Sequence, residues 1–238
     1  MKQNLDNLIF GRNPVKEAIK HGSALSIIMS DSFKDGEILN IIKNSSLPVK
    51  RVHPNELNNL CPGVNQGIAA VVKNYEYHSL EEIIHKSTKE HRPIIVMLDG
   101  IVDPHNFGAI LRCCDIFGVV GVIISKHHQV PLNGTVAKTS AGAINYVPVV
   151  AVSNLNNAIR SLKEAGFWIV SSSGNASTNY QDLKYDFPTV LVIGNEGDGV
   201  SQLVIKNSDY LVKIPMYGQV NSLNASVAAG ILLSRIKG

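Results

Sequence analysis

Pro93-Ile94-Ile95-Val96-Met97-Leu98-Asp99-Gly100-Ile101-Val102-Asp103-Pro104-His105-Asn106-Phe107-Gly108-Ala109-Ile110-Leu111-Arg112 runs from a continuous apolar stretch, through a polar loop, into a helical pattern. Residues 94–98 read as a strand buried on both faces, because no polar residue interrupts them. Phe107, Ile110, Leu111, Cys114 and Phe117 then recur at helical spacing and give a helix over 106–117 its buried stripe. On that helix Arg112 lies about 140° from Phe107 and projects away from the core. Asn106 stands at the expected N-cap, where a side-chain oxygen satisfies free backbone amides.

The same alternation continues outward. Residues 119–125, 145–152, 167–171, 189–193 and 210–214 read as strands. Leu155, Ala158, Ile159 and Leu162 share a helical face, and a last helix is expected over 222–236. Strands alternating with helices predict an α/β fold with a mostly parallel sheet over residues 93–238. Upstream, residues 1–75 form a small α/β module of their own. Asn13 and Pro14 open a helix over 14–20, residues 25–29 and 67–72 are strand-like, and residues 38–42 are helical. The polar stretch 76–92 is read as a linker with partial helical character.

The 238 residues are 45% hydrophobic and 17% charged, a folded composition. Three cysteines, two of them neighbours, exclude a disulfide framework and point to a reducing compartment, the cytoplasm by default. The first residues carry no apolar run, and no stretch approaches the ~20 residues a membrane helix needs. Net charge is +3, and all of it lies in residues 1–75, with nine Lys or Arg against six Asp or Glu; the remainder carries thirteen of each. A basic module beside a neutral domain fits a polyanion-facing unit, and ordinary scatter fits it equally.

In parallel α/β sheets ligands bind beyond the C-terminal strand ends, which singles out three loops, 99–106, 194–199 and 215–221. Gly194-Asn195-Glu196-Gly197-Asp198-Gly199 has neither the G-x-G-x-x-G spacing of a dinucleotide site nor the Lys of a P-loop, and its two carboxylates would repel phosphates. A neutral or cationic ligand fits it, as does a plain turn. In the third loop Ser222 is a possible N-cap, whereas Asn224 and Ser226 are mediocre helix formers that invite a ligand. No zinc spacing and no nucleophile elbow occurs; Ser171-Ser172-Ser173 reads as a loop after a strand, and Cys113 and Cys114 as small core residues.

Together the loops resemble the three signature motifs of the SpoU group of RNA ribose methyltransferases, in the SPOUT superfamily. They are Leu98 through Arg112, Val192-Ile193-Gly194-Asn195-Glu196-Gly197-Asp198-Gly199-Val200, and Ile214-Pro215-Met216 through Ser222-Leu223-Asn224-Ala225-Ser226. Phe10-Gly11-Arg12-Asn13-Pro14-Val15 and Gln66-Gly67-Ile68-Ala69-Ala70 resemble the RNA-binding domain of the same group. The resemblance implies a C-terminal domain with a deep trefoil knot, otherwise a nearly forbidden topology. It also implies S-adenosylmethionine as methyl donor with no metal, and a homodimer with the active site near the subunit interface. The two-domain layout is most similar to members that methylate a guanosine ribose 2′-hydroxyl in 23S ribosomal RNA, free or in a precursor particle. Transfer RNA as target, and a silent RNA-binding or ribosome-assembly clamp, are the competing readings.

By position in the motifs, Gly194, Ile214 and Leu223 fall where the group holds the cofactor, with Asn195, Gly197, Met216 and Asn224 beside them. Arg112 takes the central catalytic position. A guanidinium is a poor base at neutral pH, so its expected task is to bind the adjacent phosphate and stabilise the developing oxyanion. Asn106, Glu196, Ser222 and Asn224 would orient it and the substrate, and Arg12, Lys16 and Lys73 are expected at the RNA backbone.

Overall fold

The computed structural model describes residues 7–73, 75–220 and 222–238. The expectation of no leader at residues 1–6 lies outside these, as does Asn221 of the third loop. The chain forms two compact units. One joins the N-terminal 76 residues to Leu132–Asn145, and the other comprises Tyr77–Pro131 and Tyr146–Gly238.

The first unit contains β1 (Leu8–Phe10), α1 (Arg12–Lys20), β2 (Ala24–Ser30), α2 (Gly36–Ser45), β3 (Val49–Val52), α3 (Pro54–Leu60) and β4 (Ile68–Val72). Its sheet has the order β1-β4-β2-β3, antiparallel except for the β2–β3 pair. Alternation along the strands sorts the two faces. Ile27, Met29, Ile68 and Ala70 pack with Val15, Ala18 and Ile38. Ile28 and Ala69 turn the other way, to Leu57 and Cys61 of the α3 side.

The second unit begins with α4 (Leu80–Ser87) and β5 (Ile94–Asp99), followed by α5 (Pro104–Ile116) and β6 (Gly121–Ser125). The next helix, α6 (Gly134–Thr139), belongs to the first unit. Then come β7 (Val149–Val152), α7 (Leu155–Glu164), β8 (Trp168–Ser172), β9 (Thr178–Asn179), β10 (Thr189–Gly194), α8 (Gln202–Lys206), β11 (Tyr210–Lys213) and α9 (Ala225–Lys237). The sheet order is β7-β6-β5-β10-β8-β11-β9, and every described strand pair in it is parallel. One face buries Ile95, Met97, Val190 and Val192 against Leu155, Ile159, Leu162 and Val204. Helices α5 and α9 pack side by side and contribute the buried Phe107, Leu111, Leu232 and Leu233.

Several expected boundaries move. Within the stretch read as a partly helical linker, residues 80–87 form a helix. Ser79 and Glu82 form a capping box on α4, and Ile83 is buried in the second unit's core. Residues 132–145 leave the C-terminal domain to which the sequence assigned them, because Ala137 is buried with Ile9, Val15 and Ala18 in the first core. Helix α1 starts at Arg12, so Asn13 is not its cap; Gly11 is, and the Gln66 side chain accepts from the Arg12 amide at 2.8 Å.

Cys61 is fully buried, and burial pushes its thiol up to about 11, partly offset by the Lys138 charge. A pKa raised on folding contributes stability that is complete below the unfolded thiol's value near 9 and is lost as pH rises through 11. Between pH 8 and 11 the wild-type melting temperature should therefore fall more steeply than that of Cys61→Ala, measured by thermal denaturation; parallel slopes would remove Cys61 from the account.

Candidate active site

Asp99 and Gly194 are partners in the parallel register of β5 and β10, so the first two loops leave the sheet side by side. The Asp99 carboxylate accepts from the Ser201 amide at 2.8 Å and ties the first loop to the end of the second. Asn195 Oδ1 accepts from the amides of Gly197 and Asp198 at 2.8 and 2.7 Å, and the Gly199 amide donates to the Asn195 carbonyl. This tight turn folds the loop back onto its strand. A Cβ at Gly194 would overlap the Gly199 carbonyl group and the Val200 nitrogen, so the close approach of two backbones demands glycine there.

The third loop closes the site. Asn224 caps α9, its Oδ1 accepting from the amides of Ser226 and Val227 and from the Ser226 hydroxyl. Its Nδ2 donates to Asn106 Oδ1 at 2.8 Å and to Glu196 Oε1 at 2.5 Å. Asn106 Nδ2 donates to the same Glu196 oxygen at 2.9 Å, and the Ala225 amide reaches it at 3.4 Å. One carboxylate oxygen thus gathers donors from the first and third loops, at the N-terminus of a helix whose dipole favours a negative charge. Removing that charge should loosen the junction. Glu196→Gln is expected to cost about 1 kcal/mol, because the pair is exposed enough for solvent to screen it. A urea midpoint equal to wild type would show that the donors find other acceptors.

Beside this junction a cavity of about 300 Å³, at the lower end of small-molecule sites, opens on the C-terminal ends of β8, β10 and β11. Gly194, Asn195, Glu196, Gly197, Ile214, Met216, Ser222 and Leu223 all line it. Asn106 and Asn224 join through Glu196. Arg112 does not line the cavity. It is exposed on α5, six residues and therefore about 9 Å along the axis from Asn106, with no ion-pair partner among the described residues.

Two expected caps are corrected. Asp103, not Asn106, caps α5, since Pro104 fixes the first helical position; Asn106 is instead a buried third residue of the helix. Ser222 lies three residues before α9 begins, so Asn224 is not mid-helix. The sequence reading also passed over a fourth cavity wall, Ser172 at the end of β8 and Ser173, Gly174 and Asn175 after it. The position of that run at a strand's C-terminal end was the available signal. Asp99 was missed as a tie between loops. Burial pushes the thiols of Cys113 and Cys114 up, the opposite of what a nucleophile needs, with Arg112 opposing the shift at Cys113. Among the described residues no group of three His, Cys, Asp or Glu converges as a metal site.

In the first unit the cations expected at RNA are partly engaged. Arg12 pairs with Asp35 at 3.3 Å and lies over the Phe33 ring, and Lys16 pairs with Glu37, which holds the ammonium pKa above its usual value. Lys73 is exposed, and no ion pair to it occurs among the described residues.

Residues 93–234 match the SpoU rRNA Methylase family, and residues 8–78 match the RNA 2′-O ribose methyltransferase substrate-binding family. A Staphylococcus epidermidis relative whose name places it in the TrmH family of tRNA/rRNA methyltransferases is 45% identical, over 97% of this chain and 95% of its own. The SpoU methyltransferase AviRb of Streptomyces viridochromogenes, solved with AdoMet, superposes with a TM-score of 0.82 at 24% identity, covering 97% of this chain and 88% of that one. The A. aeolicus TrmH/SpoU tRNA modifying enzyme is 34% identical, with a TM-score of 0.57 over 66% of this chain and 80% of its own. With its three loops joined at Glu196 and the family match spanning most of the sheet that carries them, the chain belongs to the SpoU rRNA methylase family.

Proposed function

We propose that the protein transfers a methyl group from S-adenosylmethionine to the ribose 2′-hydroxyl of a guanosine in 23S ribosomal RNA. The observation that carries this reading is the junction of Asn106, Glu196 and Asn224, three side chains from three loops meeting on one carboxylate oxygen at the rim of a strand-end cavity. The bound cofactor supplies a methyl group already activated by its sulfonium. The residues present suit it. The cavity wall offers the backbone of Gly194, Ile214 and Leu223, and the carboxylates of Glu196 and Asp198 favour a cation over a phosphate.

The chain's own residues must orient the ribose and steady the charge that develops on its oxygen. Asn106 and Asn224 hold Glu196 in place. Ser222, at the cavity wall, is assigned to orient the hydroxyl. Arg112, without an ion-pair partner among the described residues, serves as phosphate anchor and oxyanion stabiliser. A homodimer belongs to the proposal, supported by the exposed Val102, Ile116 and Val227 on and beside α5 and α9. The trefoil knot and a cytoplasmic location belong to it too. No described helix is long and apolar enough to cross a membrane.

Arg12, Lys16 and Lys73 are assigned to RNA phosphates. Replacing all three by Ala should weaken RNA binding and flatten the dependence of log Kd on log salt, measured by filter binding at several salt concentrations. An unchanged slope removes them from the interface. The ribosomal target is supported by the two-unit layout, since the tRNA modifying enzyme above matches only 66% of this chain. Transfer of labelled methyl to unmodified large-subunit RNA and, separately, to unmodified transfer RNA tests it. Label on the ribosomal RNA alone is expected, and label on transfer RNA alone would overturn the target.

A further inference from the structure

Gln129, in the loop after β6, is absent from all three motifs, yet it grips the first of them. Its Oε1 accepts from the Ile101 amide at 2.8 Å, and the next residue's amide, Val130, donates to the Ile101 carbonyl at 3.0 Å. Ile101 is 2% exposed, so water does not replace either bond. Among the described residues, Gln129 Nε2 is the buried side-chain polar atom left without a partner. Turning the carboxamide over would satisfy nothing, because the Ile101 amide needs an acceptor and would then face a donor. The amide orientation is therefore dictated by Ile101, at the cost of an unpaired buried donor. A group kept in that state asks for a reason beyond packing.

The reason lies one residue upstream and five downstream of Ile101. Gly100 takes a φ of 82°, and a Cβ there would stand 3.4 Å from Asn195 Nδ2 and 3.8 Å from the His128 carbonyl. The first loop, the second loop and the loop carrying Gln129 thus meet at Gly100. Downstream, Asp103 caps α5 and Asn106 reaches Glu196. Fixing Ile101 therefore fixes the entry angle of the helix that presents Asn106 and Arg112, and the floor on which Asn195 turns.

We infer that Gln129 is a positioning residue for methyl transfer, holding the first motif's backbone through Ile101 so that Asn106 and Arg112 stay in register with the Glu196 junction. The inference rests on the methyltransferase reading. Gln129→Leu removes the acceptor, whereas Gln129→Glu keeps an oxygen for the Ile101 amide and puts a second carboxylate oxygen where the unpaired donor stood.

The test measures three quantities on the full chain: the single-turnover rate on the RNA that wild type methylates, S-adenosylmethionine affinity by calorimetry, and hydrogen exchange of the Ile101 amide. Gln129→Leu should slow the rate tenfold or more, leave cofactor affinity within about threefold, and speed exchange at Ile101, while Gln129→Glu restores rate and protection. A wild-type rate in Gln129→Leu, or rates lost equally in both variants, would overturn the inference. A wild type that methylates neither RNA would count against the functional reading instead, and the exchange measurement would still decide whether Gln129 holds Ile101.

Discussion

Arg112→Ala should lower the single-turnover rate of methyl transfer by roughly 10²–10³-fold, the loss that follows removal of one oxyanion donor. Stability should not change with it, since the side chain is exposed and unpaired among the described residues. Cofactor affinity should stay within about threefold of wild type, because Arg112 does not line the cavity. Rapid-quench transfer from labelled S-adenosylmethionine measures the rate, and calorimetry the affinity. An unchanged rate would sink the assignment. A loss confined to RNA affinity would reduce Arg112 to a phosphate anchor.

Gly194→Ala is expected to have the larger effect on cofactor binding. The added methyl meets backbone, the Gly199 carbonyl group and the Val200 nitrogen, rather than the end of a flexible side chain. The second loop must move as a whole, taking with it the Asn195 turn and Glu196. Overpacking of this kind costs about 1–3 kcal/mol in stability. S-adenosylmethionine affinity should fall by about two orders of magnitude or more, equivalent to ~2.8 kcal/mol. Gly36→Ala, outside the site, is the control, since a Cβ there finds nothing within 4 Å. Equal cofactor affinity in Gly194→Ala and wild type, by calorimetry, would show that the loop does not bind the cofactor through its backbone.

What could be read from residues alone follows from how local each feature is. The parallel sheet was legible because β5, β6 and β10 are apolar runs buried on both faces, which no amphipathic helix imitates. The edge strand β3, Val49-Lys50-Arg51-Val52, was not; its burial is confined to Val52, so it has neither run nor alternation to detect. Helix α4 looked like linker because its polar face dominates the composition, and only Ile83, flanked by the partly buried Leu80 and Ile84, fixes it to the core. The 132–145 segment could not be assigned from local pattern, since Ala137 alone says nothing about which of two cores it enters.

The site divides the same way. Strand ends pointed to the three loops, and only the resemblance singled out Gly194, Ile214 and Leu223, which line one cavity in the structure. The Asn106–Glu196–Asn224 junction spans 118 residues and is a property of the fold, so only the resemblance placed its members together beforehand. Proximity in sequence misled at Asn106, which stands at a plausible cap position but is displaced from that role by Asp103 and Pro104. Gln129 carries no motif signal at all; its importance shows only in the hydrogen bonds to Ile101 and the donor left unpaired.

The central claim is that the Glu196 junction serves methyl transfer to a ribose oxygen rather than to a base. Alkaline hydrolysis of RNA labelled by the wild-type protein tests it directly, because cleavage needs a free 2′-hydroxyl. The label should emerge in alkali-resistant dinucleotides with guanosine on the 5′ side, and Glu196→Ala should yield far less of it. Label released entirely in mononucleotides would contradict the account.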